Sequence, residues 1–335
     1  MSCRGVTLGA FAVIAALALG AAVQADTPRI PFQIATGSTT GTFFPVGEAI
    51  AGLISHPPGV ARCDTTNVCG PAGLIITART SEGTIDNVLA VNNGDVDSGL
   101  AQSDVVAAAV KGQGPFRPRG KQSHVRVIAS LFSEDVHLVA AADSKIESVN
   151  DLRGKRVSFG LPGSGVGFTA DEILKAYNVP LGRMRRFMLD TPAAMEELKQ
   201  GHIDAFFAVS GVPIDGLGDL LANHAAKLVP ITGQERTQLI KNQPALEAVV
   251  MNYPGQVPVG TVAMRTLWIV RDSVPDPLVY GITRALFNPA NRQALTASHP
   301  SASEIGLTTA PLTPLAPLHP GAARFYAEAA RGAQR

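Results

Sequence analysis

The chain has 335 residues, with 28 Lys and Arg against 27 Asp and Glu, so its formal net charge at pH 7 is +1. No run of basic residues interrupts this balance, which argues against nucleic acid or an anionic lipid surface as a partner. The 33 glycines and 24 prolines gather at junctions between apolar segments, so the composition does not indicate disorder.

The first 25 residues have the pattern of a secretory signal peptide. Arg4 is the only charged side chain before Asp26, and an apolar run over residues 6–23 leads into a small-x-small site that ends at Ala25. We expect cleavage after Ala25 and a location in the periplasm. A retained membrane anchor is the alternative, because the apolar run is just long enough to span a bilayer. Cleavage removes Arg4 and leaves 27 basic against 27 acidic residues.

In the rest of the chain, short apolar strand patterns alternate with helix patterns. Strands are predicted at 32–36, 74–78, 96–101, 125–132, 136–142, 157–160, 187–189, 203–209, 227–231 and 261–270. Helices are predicted at 46–55, 81–89, 168–177, 192–199, 217–226 and 277–287. A further helix is predicted to start near residue 103. This alternation predicts an α/β protein with two doubly wound sheets, and the length is enough for two lobes. We place lobe one at residues 26–136 plus 262–335 and lobe two at residues 137–261.

Two cysteines, Cys63 and Cys69, remain after processing and lie in a Pro/Gly-rich loop at residues 56–73. In an oxidising compartment such a pair predicts a local disulfide. A zinc site is the weaker alternative, because two thiols with only His56 nearby do not provide four ligands. We therefore predict no metal site and no cofactor.

Two loops rich in Gly, Ser and Thr connect a strand to a helix, at residues 36–43 in lobe one and 162–168 in lobe two. Each directs backbone N–H groups and the positive end of a helix to a point beyond the carboxyl edge of its sheet. Neither has the Lys of a Walker loop or the spacing of a dinucleotide fingerprint. Either loop alone is also compatible with a plain turn and helix cap, but one in each lobe favours a ligand site.

Other polar residues lie at helix starts and between the lobes. The segment 81–87 is at least as typical of a helix cap as of a ligand contact, and a lone His at the lobe junction, His137, is more often structural than catalytic. No G-x-S-x-G, H-E-x-x-H or C-x-x-C motif is present. A hydrolase or transferase on the same scaffold remains the alternative to a binding protein, and a structural or adhesive surface protein is a second alternative.

An ordered set of motifs runs through the whole mature chain. The motifs are TGSTTGTFFPVG at 36–47, SEGTIDN at 81–87, QSD at 102–104, SLFSEDVHLV at 130–139, DLRGKRV at 151–157, PGSG at 162–165, GHIDAFF at 201–207 and LHPGA at 318–322. DLxGK alone is shared by many binding proteins, but the ordered set is specific. By this set the chain resembles the TAXI solute receptors of tripartite ATP-independent periplasmic (TRAP) transporters.

The resemblance implies a type II periplasmic-binding-protein fold, in which two strands cross between the lobes as a hinge. It implies a receptor, not an enzyme, that delivers glutamate, glutamine, a dicarboxylate or a related small carboxylate or amino acid to a separate TRAP-type permease. We expect a monomer. Family members commonly have two tyrosines where this chain has Phe43 and Phe44, and Thr where it has Val166, so this cleft is expected to be less polar.

Candidate ligand-binding residues come from both sides of the cleft. They are Ser38, Thr39, Thr42, Phe43, Thr84, Asn87, Gln102 and Glu134 in lobe one, and Gly163, Ser164, Gly165, Val166, Ser210 and Gly211 in lobe two. Backbone N–H groups and hydroxyls would hold a carboxylate, while Glu134 or Glu82 would accept from an amino group. Closure about a hinge near residues 134–140 and 260–266 would signal to the permease.

Overall fold

The computed structural model describes residues 28–310 and 315–333, so the signal peptide predicted over residues 1–25 lies outside the described part. The strands are Ile30–Ala35 (β1), Leu74–Arg79 (β2), Ser98–Gln102 (β3), Val125–Ala141 (β4), Arg156–Ser158 (β5), Arg185–Phe187 (β6), Ala205–Ser210 (β7), Ala226–Leu228 (β8), Leu246–Met251 (β9) and Val259–Arg271 (β10). The helices are Phe43–Ile54 (α1), Thr84–Asn93 (α2), Ser103–Lys111 (α3), Val166–Ala176 (α4), Thr191–Lys199 (α5), Leu217–Ala222 (α6), Gln234–Asn242 (α7), Asp276–Leu286 (α8), Arg292–Ser298 (α9) and Pro320–Ala333 (α10). Within these ranges, each helix is too short or too polar to cross a bilayer.

One sheet runs through the molecule in the order β2-β1-β3-β10-β4-β7-β5-β6, with β8 on β4 and β9 on β10. At one end β1 pairs in parallel with β2 and β3, and at the other end β5 pairs in parallel with β6 and β7. Helices between successive strands provide the crossovers that parallel pairing requires. The two ends are joined by the antiparallel pair β4 and β10.

Both central strands extend into both ends of the sheet. The last residues of β4 pair with β7 and β8, and the last residues of β10 pair with β3. The prediction of two separate strands at 125–132 and 136–142 was wrong, because β4 is continuous over 17 residues. Ser133, Glu134 and Asp135 interrupt the apolar pattern but keep their pairing with β10. The polar segment therefore lies inside a strand, where the chain passes from one end of the sheet to the other.

The hydrophobic cores divide the chain into two units. Two clusters of buried side chains come only from residues up to 132 and from 267 onward, which we call the first unit. Two others come only from residues 136–264, the second unit. Neighbouring residues of a strand, such as Leu100 and Ala101, belong to different clusters, so both faces of the sheet are covered. The lobe bounds 136/137 and 261/262 remain predictions.

Some features of the periphery follow the sequence prediction and others do not. Cys63 and Cys69 are joined in a disulfide, as predicted. The elements α7, α9, α10 and β9 were not predicted. In α7 Leu239 is the one buried residue, so its sequence shows little apolar periodicity.

Candidate functional site

A cavity of about 110 Å³ lies between the two units, at the carboxyl ends of strands β3 and β7. Three helices, α1, α4 and α5, begin at its wall with Phe43, Val166 and Thr191. The lining consists of Gly37, Ser38, Thr40, Gly41, Thr42, Phe43, Glu82, Gly83, Gln102, Glu134, Gly160, Leu161, Ser164, Val166, Asp190, Thr191, Val209, Ser210 and Ile214. The Gly/Ser/Thr-rich loop of each unit therefore contributes to one cavity.

The structure brings together eight of the predicted ligand-binding residues in this lining. They are Ser38, Thr42, Phe43, Gln102, Glu134, Ser164, Val166 and Ser210. The other six surround the cavity without lining it: Thr39, Thr84, Asn87, Gly163, Gly165 and Gly211. Contact of any of these residues with a ligand remains a prediction.

Asn87 and Thr84 hold the wall of the cavity in place. The side-chain amide of Asn87 is buried and donates to the carbonyl oxygens of Thr36 and Leu100, at 2.5 and 2.7 Å. Its Oδ1 accepts from the hydroxyl of Ser81 at 2.7 Å. The hydroxyl of Thr84 accepts from the backbone N–H of Gln102 at 3.2 Å. These bonds tie α2 to β1 and β3, so both side chains position neighbours of the cavity.

Gly163 and Gly165 lie where the second unit touches the first. The carbonyl of Gly163 accepts from the N–H of Ile85 at 2.8 Å, and its own N–H donates to Oε2 of Glu82 at 3.0 Å. Gly165 has a φ of +84°, and a Cβ at this position would lie 2.6 Å from Oε1 of Gln102. The chain therefore needs glycine at 165 for both its backbone conformation and its close approach to β3.

Hydrogen bonds from side chains also cross between the units. The hydroxyls of Thr42 and Ser210 lie 2.9 Å apart, and Thr42 Oγ1 accepts from the N–H of Gly211 at 3.1 Å. Deeper in the interface, Thr169 on α4 donates to Oδ2 of Asp104 on α3 at 2.6 Å. The conformation described here is therefore one in which the units are closed over the cavity.

The start of α1 offers hydrogen-bond donors to the cavity. Thr42, the residue before the helix, makes no side-chain bond to the first turn among the described residues, since its hydroxyl is directed to Ser210 and Gly211. The first N–H groups of a helix have no partners within the helix, and they carry the positive end of its dipole. At α4, Ser164 Oγ accepts weakly from the N–H of Val166 at 3.3 Å. The α1 terminus is thus the stronger candidate for an anionic group.

Glu134 and Gln102 place hydrogen-bond acceptors on another part of the wall. Both side chains are buried, with 3% exposure each. Glu134 Oε2 accepts from the hydroxyl of Thr266 at 2.9 Å, while Oε1 of Gln102 has no hydrogen-bond partner among the described residues. Burial raises the pKa of Glu134 to about 8. The hydrogen bonds from Thr266 and Gln102 lower that pKa, and the nearby carboxyls of Asp104 and Asp135 raise it.

His137 lies outside this lining and has a structural environment. Its Nδ1 is 2.9 Å from the carbonyl oxygen of Asp135, and its Nε2 is 3.0 Å from the hydroxyl of Tyr253. Burial lowers the pKa of His137 to about 4, so the ring is neutral at pH 7. In the described part of the chain, no cluster of three or more His, Cys, Asp or Glu is arranged to bind a metal ion.

Sequence reasoning missed Asp190 and Thr191 as part of the site. Asp190 accepts from the N–H of Ala193 at 2.9 Å and so caps α5. Asp-Thr-Pro directly after the strand predicted at 187–189 is a helix-start signal, and in an α/β unit it points to the carboxyl edge of the sheet. Leu161 and Ile214 also line the cavity, and their sequence context gives no comparable signal.

Comparison with known proteins supports the same fold. A model of the NMT1-like family matches residues 34–330. The chain is similar to a protein from Bordetella bronchiseptica RB50, with 14% identity over 91% of this chain and 98% of that chain and a TM-score of 0.52. It is similar to XAC2383 from Xanthomonas citri bound to ATP, with 12% identity over 91% and 97% and a TM-score of 0.51. A further similar structure is the alkanesulfonate-binding protein SsuA from Xanthomonas axonopodis pv. citri bound to MOPS, with 13% identity over 92% of each chain and a TM-score of 0.48.

These similarities concern the fold, since the identities are low. Together with the two strands shared by both units, the two structures with TM-scores above 0.5 confirm the predicted α/β fold class.

Proposed function

We propose that this chain, which belongs to the NMT1-like family, is a periplasmic receptor of the TAXI type that captures a small amino acid or carboxylate for a TRAP-type permease. The observation that carries the proposal is the cavity between the units, into which each unit contributes a Gly/Ser/Thr-rich loop. The ordered motifs of the sequence support the TAXI assignment, and the signal-peptide pattern of residues 1–25 supports the periplasmic location. The receptor breaks no bond in its solute.

In this proposal the carboxylate of the solute binds at the start of α1. Phe43 begins the helix at the cavity wall, and Ser38 and Thr42 of the preceding loop line the same wall. Backbone N–H groups at a helix N-terminus bind anions without needing a Lys or Arg. This arrangement agrees with the lining, in which none of the described residues is Lys, Arg or His.

The wall of the cavity must also suit the carbon atoms of the amino acid or carboxylate. Phe43 and Val166 make part of the wall apolar, which suits an aliphatic portion of such a solute.

We further propose that the units move as lobes, with lobe one at 26–136 plus 262–335 and lobe two at 137–261. The separate cores of the two units support this division. Closure would bend the molecule near residues 134–140 and 260–266, where β4 and β10 pass between the cores. Hinge closure around a ligand is the usual response of such two-lobed proteins.

Native mass spectrometry of the freshly purified mature protein tests the receptor function. We expect a small molecule to co-purify, to leave on denaturation and to stabilise the stripped protein when it is added back. After long incubation with the protein, the solute should be recovered with its mass unchanged. A product of different mass would favour the hydrolase or transferase alternative, and absence of binding by any small solute would favour a structural role.

A further inference from the structure

A second and larger cavity lies between the two units, next to the one described above. Its volume is about 660 Å³, within the roughly 300–1,000 Å³ that is typical of small-molecule sites. Among the described residues Leu161 alone lines both cavities, and none of the predicted ligand-binding residues lines the second one. The second cavity is therefore a separate space, to which the proposed function assigns no role.

The second cavity has one wall from each unit. The first wall consists of Ile85 and of residues 107–117, at the end of α3 and in the turn that follows it, and the second wall consists of residues 159–188 and Gln243. The two walls touch, because a Cβ on Gly114 would lie 2.6 Å from the ring of Phe168 on α4. Opening of the units would therefore separate the walls, so the cavity belongs to the closed form.

The first wall carries positive charge that has no partner in the described part of the chain. Four basic residues and two acidic residues line the cavity. On the second wall, Arg186 pairs with Asp171 at 2.6 Å, and the other acidic residue pairs with Lys175 at 2.5 Å. Lys111 and Arg117 on the first wall are exposed and take part in none of the ion pairs between described residues. These two cations favour an occupant with a negative charge.

The second wall offers apolar surface opposite these cations. Leu161, Phe168 and Met188 all line the cavity from this side. Met188 is 48% exposed, which is unusual for a large apolar side chain in this protein. Its flexible thioether can adapt to an irregular ligand. A ligand that fits both walls therefore combines an anionic group with an apolar body.

We infer that the larger cavity is a second binding site, for an organic anion with an aromatic or aliphatic body. The anionic group lies beside Lys111 and Arg117, and the body packs against Phe168 and Met188. Because this ligand contacts both units, it stabilises the closed form. It therefore raises the affinity of the smaller cavity for its solute, and the solute raises the affinity of the larger cavity by the same factor. The inference goes beyond the proposed function and does not depend on it.

Fluorescence titration of the mature protein with two matched probes tests the site. Anilinonaphthalene sulfonate (ANS) carries a sulfonate on an aromatic body, and phenylnaphthylamine (NPN) has the same body without the charge. Contacts with two exposed cations should make ANS bind about three- to thirtyfold more tightly than NPN. The double variant Lys111→Gln/Arg117→Gln should lose that advantage and bind NPN as the unmodified protein does. The control double variant Arg29→Gln/Lys145→Gln, at exposed cations outside the lining, should bind both probes unchanged.

A second pair of variants tests the apolar wall. Met188→Gln should weaken the binding of both probes, because it replaces apolar surface by an amide. Val257→Gln, at a side chain that is 81% exposed and lies outside the lining, should weaken neither. Unchanged binding of both probes by Met188→Gln would contradict a site for the apolar body.

The co-purifying solute tests the link between the two cavities. Saturation with this solute should tighten the binding of ANS, and ANS should lower the Kd of the solute by the same factor. Displacement of ANS by the solute, equal binding of ANS and NPN, or undiminished ANS binding by Lys111→Gln/Arg117→Gln would overturn the second site and leave the receptor in place. Failure to find any solute would remove the proposed function, but the two probes and the variants would still decide the second site.

Discussion

Replacing Thr169 by valine tests whether one buried hydrogen bond contributes to closure of the two units. Thr169 on α4 donates to Asp104 on α3 at 2.6 Å, and the two residues are only 1% and 4% exposed. Valine keeps nearly the same shape but lacks the hydroxyl. In the closed form Asp104 would then rely on the N–H of Val105 at 2.8 Å, whereas in an open form water would replace the lost donor.

The size of the effect follows from the state of the Asp104 carboxyl. A hydrogen bond to an ionised group contributes about 1.5–3 kcal/mol, and one between neutral groups about 0.5–1.5 kcal/mol. Burial raises the pKa of Asp104, and the hydrogen bonds from Thr169 and Val105 lower it. For an ionised carboxylate, the equilibrium constant for closure should fall about ten- to 150-fold. Ligand affinity should fall by up to the same factor, because only the closed form holds the ligand on both sides.

Calorimetric titration with the co-purifying solute measures the affinity, and small-angle scattering measures the radius of gyration with and without it. We expect Thr169→Val to bind about two- to 150-fold more weakly, the range that covers a neutral and an ionised Asp104, and to need more ligand to reach the compact form. Thr169→Ser keeps the hydroxyl and should stay within about threefold of the unmodified protein. Binding by Thr169→Val within twofold, with unchanged compaction, would refute the link between this contact and closure.

Three other changes test separate features of the structure. Gly165→Ala should weaken binding at least tenfold in the same titration, because the φ of Gly165 is +84° and an added Cβ would clash across the interface. Gly52→Ala, at an exposed position of α1, should leave binding unchanged, because an added Cβ there would meet no described atom within 4 Å beyond its own helix backbone and chain neighbours. Serine at both Cys63 and Cys69 should lower the free energy of unfolding in urea by about 2 kcal/mol and leave affinity unchanged, since the bridge closes a short loop away from the cavity. Between pH 4.5 and about 8, Glu134 is protonated in the folded state and ionised in the unfolded state. The free energy of unfolding in urea should therefore fall as the pH rises through this range, and it should fall less in Glu134→Gln. An equal pH dependence in the two proteins would contradict that assignment.

The general fold could be predicted from the sequence because local patterns determine most of its elements. The start of α5 is an example, since Asp190 caps a helix that continues with Thr191 and Pro192. The continuity of β4 could not be predicted in this way. Glu134 interrupts an apolar pattern, and there the strand continues through pairing with Met264 on β10, a strand much later in the chain.

That the two Gly/Ser/Thr-rich loops line one cavity was predictable, but the hydrogen-bond partners of the side chains around it were not. A glycine-rich loop after a strand points to the carboxyl edge of a sheet whatever the rest of the chain does. The hydroxyl of Thr42, a predicted ligand contact, lies 2.9 Å from that of Ser210, which is 168 residues away in sequence. Asn87 is likewise committed to carbonyl groups of two strands. Such partners are determined by tertiary packing, which a local pattern does not record.

The burial of Glu134 connects the stability of the protein to pH. Taking a carboxylate out of water costs several kcal/mol unless a positive charge accompanies it, and an apolar residue in its place is often no worse for the fold. In this protein the hydroxyl of Thr266 offsets only part of that cost, and the pKa of about 8 keeps most of the carboxyl neutral at pH 7. A buried group of this kind in a cleft is more typical of a binding site than of a core. The ionised carboxylate therefore destabilises the folded protein as the pH rises, and Glu134→Gln, which cannot ionise, should not share that loss.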